Sequence, residues 1–165
     1  MIIGISGKKR SGKDTVADIL LATHVSSIKY SFSNPLKCEV ARACGVTVEY
    51  IEEHKDNFRL ILQGWGTDYR RKLFGEDYWI KKMDQAVEQF SGRPLIIIPD
   101  VRFMNEYDWV KLHDGIMVRV ERPGLPTGDG HVSETELDNI PNWDIVIRND
   151  GTIKDLIDQV NYKIK

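Results

Sequence analysis

The chain has 165 residues, with 23 basic and 25 acidic side chains and a formal net charge of −2. That balance argues against a general affinity for nucleic acid, and no apolar run is long enough to span a bilayer or to act as a secretory signal. Two cysteines, Cys38 and Cys44, exclude a disulfide framework; on a helix they face different directions and are expected as small core fillers of one soluble, cytoplasmic domain.

The first predicted element is an apolar strand at residues 2–5. It leads into GKKRSGKDT at 7–15 and then a helical pattern with Val16, Ala17, Ile19 and Leu20. Strand, glycine-rich turn and helix are the context that a phosphate-cradling loop requires. Gly7 and Gly12 let the backbone bend around an anion, with Lys9, Arg10 and Ser11 between them, and the helix adds its positive end. Lys13 supplies an ammonium for the terminal phosphates of a nucleotide. The common form of this motif puts a hydroxyl directly after the lysine, to ligate Mg²⁺. Here Asp14 stands there and Thr15 follows, an order unlike GTPases and similar to nucleoside monophosphate kinases. Asp14 either meets Mg²⁺, directly or through water, or caps the helix start.

A second strand is predicted at 28–32 and a third at 95–98, the latter a continuous apolar run suited to burial on both faces. The stretch between them is too long for a simple crossover. Residues 34–90 therefore read as a helical insertion and return helix, the part up to 74 standing over the carboxyl ends of the strands. Trp79, Met83, Ala86, Val87 and Phe90 form one apolar stripe. In LQGWGTDYRRKLF the two glycines predict a turn, with Thr67 or Asp68 capping a helix that bears Arg70 and Arg71. One of those arginines faces a site and the other is solvated. Trp65, Tyr69 and Trp79 either stack a base or fill the core.

Strands at 116–120 and 145–147 and an amphipathic helix with Ile153, Leu156, Ile157 and Val160 complete the pattern. Apolar runs alternating with helices predict an α/β fold, a five-stranded parallel sheet sandwiched between helices. Residues 122–135, with two prolines and three glycines, read as a short lid or as a surface connection.

Phosphoryl transfer asks for positioning and charge neutralisation, so arginines that converge on phosphates are the candidates to seek. Asp100 and Arg102 fall just past the third strand, where ligands bind in open α/β sheets. Asp100 either holds water on Mg²⁺ while Arg102 grips an acceptor phosphate, or the two form an internal ion pair. Arg119 and Arg122 lie at the base of the lid. His131, Ser133 and Glu134 form an HVSE cluster after the glycines, and Ser133 and Glu136, three apart, have the spacing of a capping box.

Together SGKKRSGKDTVAD, SNPLK, LQGWGTDYRR, EDYW, DVRFMNE, HVSE and IRNDGTIKDL resemble the bacteriophage deoxynucleoside monophosphate kinases, across nearly the whole chain. Phosphomevalonate kinase is similar more weakly, in the KRSGKD loop and the D-x-R segment. The resemblance implies a core, a helical acceptor-binding insertion and a lid. It implies transfer of the γ-phosphate of ATP, with Mg²⁺, to a deoxynucleoside 5′-monophosphate for DNA precursor synthesis. Gly7 to Thr15 would hold ATP and Asn149 would lie beside the adenine. Arg70 and Arg102 would bind the acceptor phosphate, with Trp65 and Glu106 beside the acceptor, and Arg122 would close the lid. Asp14 and Asp100 would serve the metal. A homodimer, in a host cytoplasm if phage-encoded, is also implied. The alternatives are a kinase of another phosphorylated metabolite, of phosphomevalonate or dephospho-coenzyme A type, and an ATP sensor without turnover.

Overall fold

A computed structural model describes residues 1–90, 92, 94–125 and 131–164. In chain order the elements begin β1 (Ile2–Ser6), α1 (Lys13–Thr23), β2 (Ser27–Lys29), α2 (Ser33–Cys44), α3 (Val48–Glu53) and α4 (Lys55–Gln63). A π-helical stretch (Gly64–Arg71) then runs into α5 (Lys72–Phe74), followed by α6 (Tyr78–Val87) and β3 (Leu95–Ile98). Next come α7 (Met104–Leu112), β4 (Ile116–Glu121), α8 (Val132–Thr135), a 3₁₀ turn (Glu136–Asn139), β5 (Ile145–Arg148) and α9 (Ile153–Lys163). The chain divides into two compact units: Met1–Ser31 with Ser91–Lys165, and Phe32–Phe90.

The first unit holds a five-stranded, all-parallel sheet in the order β2-β3-β1-β4-β5. β1 is central and buried along its whole length, as its isoleucine-rich sequence requires. Ile3 pairs with Ile97 on one side and Ile116 on the other. One face of the sheet is sealed by α1 and α9, where Val16, Ala17, Leu20, Leu156 and Val160 pack on Ile3, Ile5, Ile97, Val118 and Ile147. α7 covers the other face closely: a Cβ on Gly4 would stand 2.6 Å from the Met117 sulfur and 3.0 Å from a Val110 methyl. The chain leaves β1 in opposite directions across the sheet, so the crevice past its carboxyl end is where an open α/β fold binds ligands.

β2 is shorter than the run at 28–32 suggests. It is an edge strand whose only neighbour, β3, ends at Ile98; after the bond from the Tyr30 N–H to the Ile97 carbonyl (3.0 Å), Phe32 already caps α2.

In the second unit, Val40 and Ala41 of α2 pack with Ile51 of α3, and Leu36, Phe58, Leu62 and Trp65 surround them. Trp79 and Met83 of α6 are buried. Cys38 and Cys44 are both exposed rather than core fillers, because the buried stripe of α2 runs through Val40 and Ala41. The glycines of LQGWGTDYRR make no turn, and neither Thr67 nor Asp68 caps a helix. Gly64 takes right-handed helical angles (φ −62°, ψ −44°), and the backbone passes from α4 through the π-helical stretch into α5 without a break. Gly66 is needed for closeness: its Cβ would meet Leu36 at 3.0 Å.

Candidate functional site

The first unit carries a phosphate cradle. The loop after β1 turns through a bond from the Ser11 N–H to the Lys8 carbonyl (3.1 Å) and reaches α1 at Gly12, with φ +102°. No side chain caps α1, so the N–H groups of its first turn are open to an anion. Neither loop glycine has room for a side chain. A Cβ on Gly7 would lie 2.4 Å from the Val120 carbonyl oxygen, and one on Gly12 would lie 2.4 Å from Asn149 Nδ2. Asn149, just past β5, donates from that nitrogen to the Ser11 carbonyl (2.8 Å) and so props the loop from behind. Arg10 sits in the left-handed region (φ 66°) with its side chain exposed. The Ser11 hydroxyl is buried and has no hydrogen-bond partner among the described residues, an orphan that a bound anion would satisfy.

Lys13 is 9% exposed and donates to the carbonyls of Gly7 (2.7 Å) and Lys8 (2.8 Å), which leaves one ammonium proton for a ligand. Burial, and next the Arg102 charge, lower its pKa from 10.5 to about 8, with Arg119 acting in the same sense and Glu134 and Asp14 against it.

Arg102 finds its carboxylate at Glu134 (2.6 Å). Glu134 is buried, and its other carboxylate oxygen accepts the Lys9 N–H at 3.2 Å, while its backbone carbonyl accepts Lys8 Nζ at 2.6 Å. This one acidic residue therefore ties α8 to the cradle and to Arg102 together. A second acid, Asp138, pairs with Lys8 and with Arg119 (3.1 Å). Partial burial opposes its ionisation, but those two cations outweigh burial and hold its carboxyl below the usual range. Arg119 also reaches the Ser6 hydroxyl (3.3 Å) and lies 5.3 Å over the Trp143 ring. Glu106 is buried and accepts the backbone N–H groups of Arg102 (2.8 Å) and Phe103 (3.2 Å), fixing the turn that presents Arg102.

Arg119 is thus drawn into the cradle's ion-pair network, whereas Arg122 is exposed at the start of the expected lid. Residues 126–130 of that lid lie outside the described residues, and its far end is the helix α8. His131, not Ser133, caps α8: its ring nitrogen accepts the Ser133 N–H (3.2 Å). Glu136 instead accepts the Met104 N–H at 2.6 Å. The expected capping box fails because the helix starts two residues earlier than the spacing implied.

Asp14 is exposed in the first turn of α1, and Asp100 is half-buried just past β3. Among the described residues no three His, Cys, Asp or Glu side chains gather as a metal cage. Hard carboxylate oxygens beside a phosphate cradle suit Mg²⁺, which takes one or two carboxylates and fills its other positions with water and substrate phosphates.

In the second unit a separate cluster surrounds Arg70. Its guanidinium carbon lies 5.0 Å from the ring centres of Tyr69 and Phe74, 5.3 Å from Tyr78 and 5.9 Å from Trp65. Glu39 of α2 accepts Arg70 Nε (2.6 Å) and the Trp65 indole N–H (3.0 Å) on one oxygen, and the Tyr78 hydroxyl (2.6 Å) on the other. The π-helical winding makes this possible. Residues 65 and 70 would face about 140° apart on an α-helix, at about 100° per residue, but i→i+5 bonding brings them to one side. Arg71 is 3% exposed and donates to the Glu76 carbonyl (2.9 Å), so it is a buried structural arginine rather than a solvated one. Trp79 is core, its indole N–H on the Gly66 carbonyl (3.0 Å).

Glu134 and Glu39 organise the two clusters; the sequence marked Glu134 only as part of HVSE, with no role of its own, and did not mark Glu39. A glutamate on a short helix is ordinarily solvated, and nothing in periodicity marks one that turns inward.

A family model described as deoxynucleotide monophosphate kinase matches residues 1–55 and 44–160. A protein of Acanthamoeba polyphaga mimivirus, provisionally named a deoxynucleotide monophosphate kinase, is 31% identical, with 97% of this chain and 94% of that one covered. The deoxynucleotide monophosphate kinase of Enterobacteria phage T4 is 25% identical over 99% of this chain and 98% of its own. Among solved structures, the shikimate kinase of Aquifex aeolicus superposes with a TM-score of 0.58 over 99% of this chain and 96% of that one; at 17% identity this likeness concerns the fold.

Proposed function

The chain belongs to the deoxynucleotide monophosphate kinase family, and from that premise we propose that it moves the γ-phosphate of ATP onto a deoxynucleoside 5′-monophosphate, giving ADP and the diphosphate. The observation that carries this reading is the cradle at 7–15, an uncapped helix start with two glycines that admit no Cβ and a buried ammonium beside Arg102. In the proposed reaction a phosphate oxygen of the acceptor attacks the γ-phosphorus as the bond to the β,γ-bridging oxygen breaks, and ADP leaves with that electron pair. The attacking oxygen is already ionised at neutral pH, so no general base is required.

The cradle N–H groups take the β- and γ-phosphates, and Lys13 turns from the carbonyls of Gly7 and Lys8 onto them. Arg102 steadies the acceptor phosphate and the charge that builds during transfer, with Glu106 fixing its backbone. In the helical unit Arg70 is the acceptor-phosphate arginine, and Arg122 closes on the transferring group. Asp14 and Asp100 would hold Mg²⁺, directly or through water. The ion, when bound, neutralises charge on the phosphates. The same reading takes the enzyme as a cytoplasmic homodimer.

A coupled assay of ADP release over dAMP, dCMP, dGMP, dTMP, their ribose counterparts, phosphomevalonate and dephospho-coenzyme A tests the proposal. Turnover with at least one deoxynucleoside monophosphate, well above the metabolite phosphates, is expected. Turnover with a metabolite phosphate alone, or ATP binding with no turnover at all, would overturn it.

A further inference from the structure

The carboxylate of Glu39 is a meeting point of the helical unit. Three donors from two elements reach it, all within 3.0 Å: Trp65 and Arg70 from the π-helical stretch and Tyr78 from α6. Its side chain is 18% exposed and that of Arg70 is 20% exposed. The contact with Arg70 is made at Nε. A carboxylate that served only to neutralise this arginine would be free to take the two terminal nitrogens as a fork, the stronger arrangement. Here the terminal nitrogens make no hydrogen bond among the described residues, while four aromatic rings fix the guanidinium plane from around it. An arginine anchored at its inner nitrogen, with its outer fork vacant, is arranged to grip a phosphate in bidentate fashion.

We propose that Glu39 is a positioning residue for the acceptor phosphate, holding Arg70 by Nε so that both terminal nitrogens are presented to the incoming monophosphate. Partial burial works against the charge on Glu39, but the Tyr78, Trp65 and Arg70 hydrogen bonds and the Arg70 charge outweigh it and keep the carboxyl below its usual range. The anchor is therefore ionised at neutral pH. Trp65 and Tyr78 complete the device: each spends its single N–H or O–H on the carboxylate and offers a ring to the arginine. The π-helical winding is its backbone counterpart, since it puts Trp65 and Arg70 on the same carboxylate.

The inference rests on Arg70 being an acceptor arginine, and the test separates the two. Steady-state kinetics of Glu39→Gln, Arg70→Ala and the double variant are measured with whichever of dAMP, dCMP, dGMP and dTMP turns over fastest. Glu39→Gln keeps the shape but removes the charge. It is expected to raise the acceptor KM by about 10-fold or more, on the scale of one charge-assisted hydrogen bond, with the ATP KM unchanged. In the Arg70→Ala background the same change should have no further effect. An unaltered acceptor KM in Arg70→Ala overturns the reading of Arg70 itself. A normal KM in Glu39→Gln beside a defective Arg70→Ala overturns this inference alone. A Glu39→Gln protein that loses melting temperature and both KM values together makes the residue a structural carboxylate, and likewise overturns it.

Discussion

Lys13 is asked to carry a full charge in a buried place, and pH exposes the consequence. Its pKa is lowered from 10.5 to about 8, first by burial and then by Arg102. The difference corresponds to about 3 kcal/mol that the folded, ligand-free protein bears for keeping the ammonium charged at neutral pH. Below pH 8 folded and unfolded chains both hold the proton, and the whole cost is present. Between 8 and 10.5 the unfolded chain holds the proton and the folded one sheds it, so this lysine's contribution makes stability rise with pH there. A bound polyphosphate reverses the preference, because it favours the charged form. Free Lys13 is about three quarters charged at pH 7.5 and about one tenth charged at pH 9. ATP binding at pH 9 must therefore draw in nearly one proton, and its Kd should weaken about 8-fold between the two pH values. Titration calorimetry at pH 8.5 in two buffers of different ionisation enthalpy counts that proton directly. The same experiment on Lys13→Met should show no uptake and a flat Kd. Zero uptake in the native protein, or an equal slope in the methionine variant, would refute the assignment of this charge to the phosphate site.

Three further outcomes follow from the cradle. Gly12→Ala forces a Cβ to 2.4 Å from Asn149 at φ +102°, so it should lower stability by about 1–3 kcal/mol and weaken ATP binding; native-like melting and affinity would contradict the close packing of the loop. Glu134→Gln removes a negative neighbour that supports the Lys13 charge, so the alkaline limb of the kcat/KM profile for ATP should move to lower pH; an unmoved limb would separate Glu134 from the lysine electrostatically. Arg102→Ala should cut acceptor kcat/KM by about 10²-fold with ATP affinity largely kept, the scale of one lost donor to developing charge; a loss confined to ATP affinity would reassign this arginine.

The parallel sheet and the cradle were legible because each follows from a short-range pattern. Isoleucine runs of strand length can only be buried, and a glycine-lysine turn between strand and helix has few other uses. The helical unit was legible as helix but not in its detail. α- and π-winding differ by one residue in hydrogen-bond spacing, and Gly64 and Gly66 read locally as a turn when they actually allow continuous winding and close approach to Leu36. The inward glutamates escaped for a different reason: whether a carboxylate is solvated or buried depends on which cations arrive beside it. Those come from far along the chain, as with Lys8, Arg102 and Glu134.

That dependence also explains why the cradle holds together. Lys8, Lys13, Arg102 and Arg119 crowd one loop, and four cations without partners would repel one another strongly in a half-buried setting. Glu134 and Asp138, both carried on the segment from Val132 to Asn139, neutralise part of this charge but not all of it. The two carboxylates pair with Lys8, Arg102 and Arg119, while Lys13 rests on the backbone carbonyls of Gly7 and Lys8 at an uncapped helix start, a positive charge that an anion relieves. The incomplete pairing, together with the orphaned Ser11 hydroxyl, is what a site kept ready for a polyphosphate requires.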